Sequence, residues 1–102
     1  MISAVFKRSG GKYVGFEVGG HSGLAEAGSD VLCAAVSAAT ELAANLAGGE
    51  ARVDEAAAKV AVRIPRPDEN SERVISALRG QLESYSEEYP DNIRITEQEC
   101  VL

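Results

Sequence analysis

The feature that most constrains the fold is a pair of strand-like segments joined by two glycines. Residues 2–7, ISAVFK, and residues 13–18, YVGFEV, have the alternating character of strands that bury one face. The SGGK between them is typical of a tight hairpin turn. The chain therefore begins with an antiparallel hairpin, which needs further elements to cover its apolar face.

A first helix is predicted after the hairpin. It starts at Ser29 or Asp30, both good N-cap residues, and ends at Gly48-Gly49. Its core positions at helical spacing are Leu32, Val36, Ala39, Ala43 and Leu46. Because most of these side chains are small, we expect a sheet or a second copy of the chain to approach this helix closely.

A second helix is predicted between Asp68 or Asn70, which can cap it, and Pro90, which stops it. One face carries Val74, Leu78, Leu82, Tyr85 and Tyr89.

A second hairpin and a last strand complete the pattern. The hairpin is EARVDEAAAKVAVRIP, whose first arm, residues 51–54, is weak and reads as a sheet edge. In its second arm Val60, Val62 and Ile64 alternate well, and NIRITEQE forms the last strand. The order β-β-α-β-β-α-β predicts an α+β fold: one domain over residues 1–102, with a mostly antiparallel sheet packed with two helices.

Composition narrows the classes of function. The net charge is −6 in 102 residues, so a phosphate backbone repels the chain and direct nucleic-acid binding is not expected. The N-terminus lacks a charged region ahead of an apolar one, and no apolar run approaches the roughly 20 residues that span a bilayer. We therefore expect a cytoplasmic protein without a membrane partner.

Cysteine and histidine are scarce. Two cysteines, Cys33 and Cys100, do not make a disulfide scaffold, and a single histidine without a Cys-x-x-Cys pair argues against a zinc site. We expect neither a metal nor an organic cofactor.

The glycine-rich segment GGHSGLAEAGSD precedes the first helix and holds His21, the only histidine. Cys33 follows in the first turn of the helix, where the positive end of the helix dipole favours a thiolate. Helical geometry places Asp30, Cys33 and Ser37 on one polar shoulder beside the apolar stripe. His21 is suited to be a base or an ion-pair partner for that thiolate. The alternative is a buried, inert cysteine and a solvated histidine, and the spacing alone leaves both open.

Residues 20–38, GHSGLAEAGSDVLCAAVSA, closely resemble the signature of the ribosomal-processing cysteine protease (Prp) family. Gly20 and His21 match its Gly-His start. The other matches are Gly28, Asp30, Val31, Cys33, Ala34, Val36 and Ser37. Ser22 stands where the family usually has alanine, and EEYPDNIRI resembles the family's helix-Tyr-Pro-strand closure. The resemblance covers essentially the whole chain.

This resemblance implies an endopeptidase that removes the N-terminal extension of the bacterial large-subunit ribosomal protein number twenty-seven. It makes Cys33 the nucleophile and His21 the base, with Asp30 and Ser37 as supporting residues. It assigns Gly20, Ser22, Gly23 and Gly28 to a loop that closes over the substrate, and it implies a homodimer.

Two other classes of function stay open from the residues. A non-catalytic module that binds a peptide or a ribosomal protein would need no reactive thiol. A thiol redox sensor would need a resolving cysteine, for which Cys100 is the only candidate.

Overall fold

The computed structural model describes residues 1–21, 23 and 30–101. Its elements, in chain order, are β1 (Ile2–Ser9), β2 (Lys12–Gly19), α1 (Val31–Leu46), β3 (Glu50–Asp54), β4 (Lys59–Arg63), α2 (Glu69–Glu88) and β5 (Ile93–Glu99). The predicted order and the α+β class are confirmed. The glycine pair between β1 and β2 has positive φ at both positions, as a two-residue hairpin turn requires.

The strands form one sheet in the order β3-β4-β2-β1-β5. Only the pair of β1 with β5 is parallel, so the sheet is mostly antiparallel. The weak first arm of the second hairpin is β3, which lies at an edge of the sheet as predicted. All of its residues are exposed.

The core lies between one face of the sheet and the two helices. Phe6 and Phe16 face each other across β1 and β2, are fully buried, and have ring centroids 6.1 Å apart. Leu78 and Leu82 of α2 are buried in the same cluster, and Tyr85 and the C-cap residue Tyr89 pack against it half-buried. Pro90 follows Tyr89, so the predicted stop is confirmed.

Both helices begin at predicted caps. Asp30 caps α1, and Asp68 caps α2 in a reciprocal arrangement with Ser71. The alternative cap, Asn70, lies inside α2 and donates a hydrogen bond from Nδ2 to the carbonyl oxygen of Leu46. Ser29 lies outside the described residues.

One core prediction in α1 is wrong. Leu46 is 57% exposed, whereas Thr40, Ala44 and Ala47 are buried. At 100° per residue the buried positions of α1 span about 120°, from Leu32 to Ala44, and Leu46 lies about 40° outside this strip, on the side of the groove beside α2. The element whose backbone approaches α1 most closely is α2, whereas the small side chains had suggested a sheet or a second copy.

Candidate active site

Asp30 fixes the start of α1 around Cys33. Its Oδ1 accepts a hydrogen bond from the backbone N–H of Cys33 at 3.1 Å, and its carbonyl oxygen accepts one from the N–H of Ala34 at 3.2 Å. Asp30 is only 8% exposed. The carboxylate therefore holds the helix turn that carries the predicted nucleophile, which is a physical basis for a supporting role.

A cleft of about 300 Å³ opens between α1 and the β3–β4 hairpin. His21 and Gly20 line it from the end of β2, and Cys33 and Ser37 line it from the first turns of α1. Cys33 is half-buried, and His21 and Ser37 are exposed. The fold thus brings the predicted nucleophile and base to one cavity, although twelve positions separate them in the sequence.

Gly20 has a backbone conformation that favours glycine. Its φ is +88°, and a Cβ at this position would collide with the carbonyl oxygen of Met1. Its N–H donates to the carbonyl oxygen of Ala58 at 3.0 Å, which ties the end of β2 to the β3–β4 turn. These contacts place the residue just before His21 at the mouth of the cleft.

The other predicted loop residues are not assembled in the cleft. Gly23 lies near the side-chain amide of Asn92, 3.9 Å from where its Cβ would be, and is not among the cleft residues. Ser22 and Gly28 lie outside the described residues. Asp30 also does not line the cleft, because its carboxylate is buried at the helix start beneath it.

The far wall of the cleft is formed by residues that no sequence motif marks. Val53, Asp54 and Glu55 line it from the β3–β4 hairpin, and Val53 is 64% exposed. On α1 the lining continues past Ser37 to Thr40 and Glu41. A signal for Thr40 and Glu41 was present, since both fall one helical turn beyond Ser37 on the predicted polar shoulder.

The cleft combines an apolar lining with a mostly acidic rim. Ile2, Val18, Val36 and Val60 contribute apolar surface. Glu41, Asp54 and Glu55 supply carboxylates, and the ammonium of Lys59 is paired with Glu17 at 3.1 Å. Such a cleft suits an extended peptide with apolar side chains better than it suits an anionic ligand.

The position of Cys100 contradicts the redox alternative. Cys100 donates its N–H to the carbonyl oxygen of Arg8, at the far end of β1, whereas Cys33 shares its cleft with Ile2. Arg8 is six residue steps along β1 from Ile2, or roughly 20 Å. A disulfide needs Cα atoms within about 7 Å, so this fold does not allow a Cys33–Cys100 link within one chain.

Among the residues that the structure describes, no group of three or more histidine, cysteine or acidic side chains is arranged to hold a metal ion. Neither described helix is long and apolar enough to cross a membrane.

Solved structures with a similar fold include two of a ribosomal processing protease with a bound peptide. A ribosomal processing protease Prp from S. aureus, crystallised with a covalently linked product peptide, is 22% identical, with a TM-score of 0.86 over 96% of this chain and 100% of that chain. A protein from Streptococcus mutans is 24% identical, with a TM-score of 0.82 over 98% and 99% of the two chains. The S. aureus protease with a substrate peptide is 20% identical, with a TM-score of 0.77 over 96% and 100%. At these identities the likeness shows a common fold.

The family assignment depends on the sequence itself. No curated protein sequence matches the chain significantly. The sequence profile of the family described as cysteine protease Prp, however, matches residues 1–94. The match includes β1, β2, both helices, the segment with His21 and Cys33, and the start of β5. This chain therefore belongs to the Prp family of cysteine proteases.

Proposed function

We propose that this chain is the endopeptidase that removes the N-terminal extension of the large-subunit ribosomal protein number twenty-seven, with Cys33 as nucleophile and His21 as base. The observation that carries the proposal is the single cleft lined by both residues. The whole chain, residues 1–102, then acts as one catalytic domain, and its substrate places its work in the cytoplasm. The charge of −6 complements a basic ribosomal protein and aids encounter.

The chemistry proposed for this cleft is acyl transfer. The thiolate of Cys33 attacks the scissile carbonyl carbon, and a C–S bond forms as the carbonyl π electrons move to oxygen. The imidazolium of His21 then protonates the leaving nitrogen, and the C–N bond breaks to release the C-terminal product. His21 next takes a proton from water, whose oxygen attacks the thioester carbon; the C–S bond then breaks, which releases the N-terminal product and restores the Cys33 thiolate and the His21 imidazolium.

The backbone N–H of Cys33 is the donor nearest to the nucleophile in the sequence, but it already donates to Oδ1 of Asp30 at 3.1 Å. In this conformation it cannot also serve as a full donor to the substrate oxygen. The proposal therefore gives Asp30 the task of fixing the Cys33 backbone and gives Ser37, which lines the cleft one turn later, contact with the peptide.

The test of the proposed function is intact-mass analysis of the extended ribosomal protein after incubation with the chain. The wild-type protein should release one discrete N-terminal peptide, and Cys33→Ala and His21→Ala should release it at least ~10³-fold more slowly. Cys100→Ala is the matched control, because it removes a thiol far from the cleft, and it should retain full activity. Substantial cleavage by Cys33→Ala would contradict the proposal.

A homodimer is the second part of the proposal. The groove between α1 and α2 exposes Leu42 (60%) and Leu46 (57%), and Ala77 and the half-buried Val74 line its other side. An exposed apolar groove of this kind supports association of two copies. Sedimentation should give a dimer for the wild type and a folded monomer for Leu46→Glu. A wild-type monomer at micromolar concentration would contradict it.

A cleft that binds the ribosomal protein without cutting it is the alternative function. The exposed apolar and acidic rim of the hairpin favours peptide binding in either case. Binding of the uncut extension by wild type, with no product at any time, would support this alternative.

A further inference from the structure

Thr40 is a buried polar side chain in the wall of the cleft. It is 3% exposed, and its Oγ1 makes no hydrogen bond among the described residues. A threonine inside a helix commonly bonds the carbonyl oxygen one turn earlier, and Thr40 does not make that bond either. Burial of an unpaired hydroxyl destabilises a fold, so the position calls for a partner that residues 1–21, 23 and 30–101 do not supply.

The cleft follows the helix axis from Cys33 to Thr40. The α1 residues that line it include Cys33, Val36, Thr40 and Glu41, which occupy one face over two turns. Thr40 is seven residues after Cys33, or about 10.5 Å along the axis at 1.5 Å per residue. An extended peptide advances about 3.3 Å per residue, so a peptide lying along α1 passes Thr40 about three residues from its scissile bond.

The charged side chains that line the cleft are mainly acceptors. Glu41 follows Thr40 on α1, and Asp54 and Glu55 line the cleft at the β3–β4 turn; all three are carboxylates, which accept hydrogen bonds when ionised. The ammonium of Lys59 is held by Glu17 at 3.1 Å. A peptide carbonyl oxygen needs a donor, and the hydroxyl of Thr40 is one. Threonine in a helix populates two χ1 rotamers, and a rotation of about 120° moves Oγ1 to another of the three positions around Cβ.

We infer that Thr40 is a substrate-binding residue whose hydroxyl donates a hydrogen bond to a peptide carbonyl oxygen about three residues from the scissile bond. The inference rests on the proposed function, since it places a peptide in the cleft of Cys33. It adds a specificity contact that is remote from the reacting atoms. Such a contact acts alike on bound substrate and transition state, so it lowers KM and leaves kcat unchanged.

Two variants isolate the hydroxyl. Thr40→Val replaces it with a methyl group of similar size, and Thr40→Ser keeps it. With a fluorogenic peptide that spans the cleavage site of the extended ribosomal protein, Thr40→Val should raise KM about tenfold with kcat within twofold of wild type, and Thr40→Ser should stay near wild type. Thr40→Val should melt at the same or a higher temperature, because it removes an unpaired buried hydroxyl. A purely structural threonine would show the opposite pattern: a lower melting temperature and an unchanged KM.

Truncated peptides test the position of the contact. Two peptides are needed, each shortened to two residues on one side of the scissile bond. The peptide that no longer reaches Thr40 should have the same KM with wild type and with Thr40→Val. An unchanged KM of Thr40→Val on the full peptide would overturn the inference. So would an effect of Thr40→Val that survives both truncations, or an equal loss in Thr40→Ser.

Binding separates this inference from the proposed function. In the Cys33→Ala background, which cannot cut by the proposed route, the labelled peptide should bind with a Kd about tenfold weaker when Thr40→Val is added. A weaker Kd together with no cleavage by wild type would support Thr40 and contradict the protease proposal. An unchanged Kd with normal cleavage would contradict Thr40 alone.

Discussion

Removal of the α1 cap is the perturbation whose size follows most directly from the structure. In Asp30→Ala the N–H of Cys33 loses its 3.1 Å acceptor at the first turn of α1. Loss of an N-cap costs about 0.5–2 kcal/mol, and a carboxylate that is 8% exposed belongs in the upper half of that range. About 1–2 kcal/mol lowers the Tm of a domain of this size by roughly 5–15 °C. The turn that carries Cys33 loosens as well, so kcat should fall more than KM changes.

Asp30→Asn is the matched control, since asparagine keeps a side-chain oxygen at the cap and removes the charge. Urea denaturation should find Asp30→Asn within about 0.5 kcal/mol of wild type and Asp30→Ala 1–2 kcal/mol less stable, with equal m-values. Two results would refute the reasoning. One is an Asp30→Ala variant as stable as wild type. The other is an Asp30→Asn variant as unstable as Asp30→Ala, which would place the stabilisation in the charge and not in the cap.

Three further changes probe the fold and the cleft. Leu82 is fully buried, so Leu82→Ala should lower the free energy of unfolding by about 2–5 kcal/mol in urea denaturation. Leu46 is exposed, so at protein concentrations too low for dimers Leu46→Ala should unfold within about 0.5 kcal/mol of wild type. Equal losses in the two variants would contradict the assigned core. Gly20→Ala should lower both stability and cleavage rate, since its φ of +88° and the carbonyl of Met1 leave no room for a Cβ; an unaffected variant would show that this segment is not fixed. The hydrogen bond from the ammonium of Lys7 holds the pKa of Glu17 below its usual value. The ionised carboxylate therefore stabilises the fold above pH 4.5, and this stabilisation is lost as the pH falls through the lowered pKa. Glu17→Gln should therefore be less stable than wild type at pH 7 by under about 1 kcal/mol, and the gap in urea denaturation should close in acid; a gap that is constant with pH would contradict the ion pair.

The sequence predicted those features that act within one or two helical turns or one hairpin. Asp30 as a cap, the glycine turn of the first hairpin and the stop at Pro90 depend on side chains close to the backbone groups that they satisfy or block. Cys33 was placed at the edge of the stripe by helical geometry alone, and it is half-buried there.

The remaining features depend on tertiary packing, which periodicity does not encode. Leu46 has helical spacing with Ala43, yet the core buries a neighbouring strip of α1 and leaves Leu46 exposed. The wall around Val53 exists because β3 extends the sheet beyond the strip that α1 covers. The hydrogen bond from the backbone N–H of Cys33 to Asp30 is also not evident from the sequence. The thiol and the backbone N–H of one residue can bind different partners, and the sequence does not say which.

The most direct test of the account is the covalent intermediate on the enzyme. The chain, mixed with the extended ribosomal protein and quenched in acid within one turnover, should gain the mass of the N-terminal product. Peptide mapping should locate this thioester on Cys33, and Cys33→Ala should show no adduct, whereas Cys100→Ala should form it normally. Cleavage that proceeds without an adduct in wild type and continues in Cys33→Ala would contradict the account.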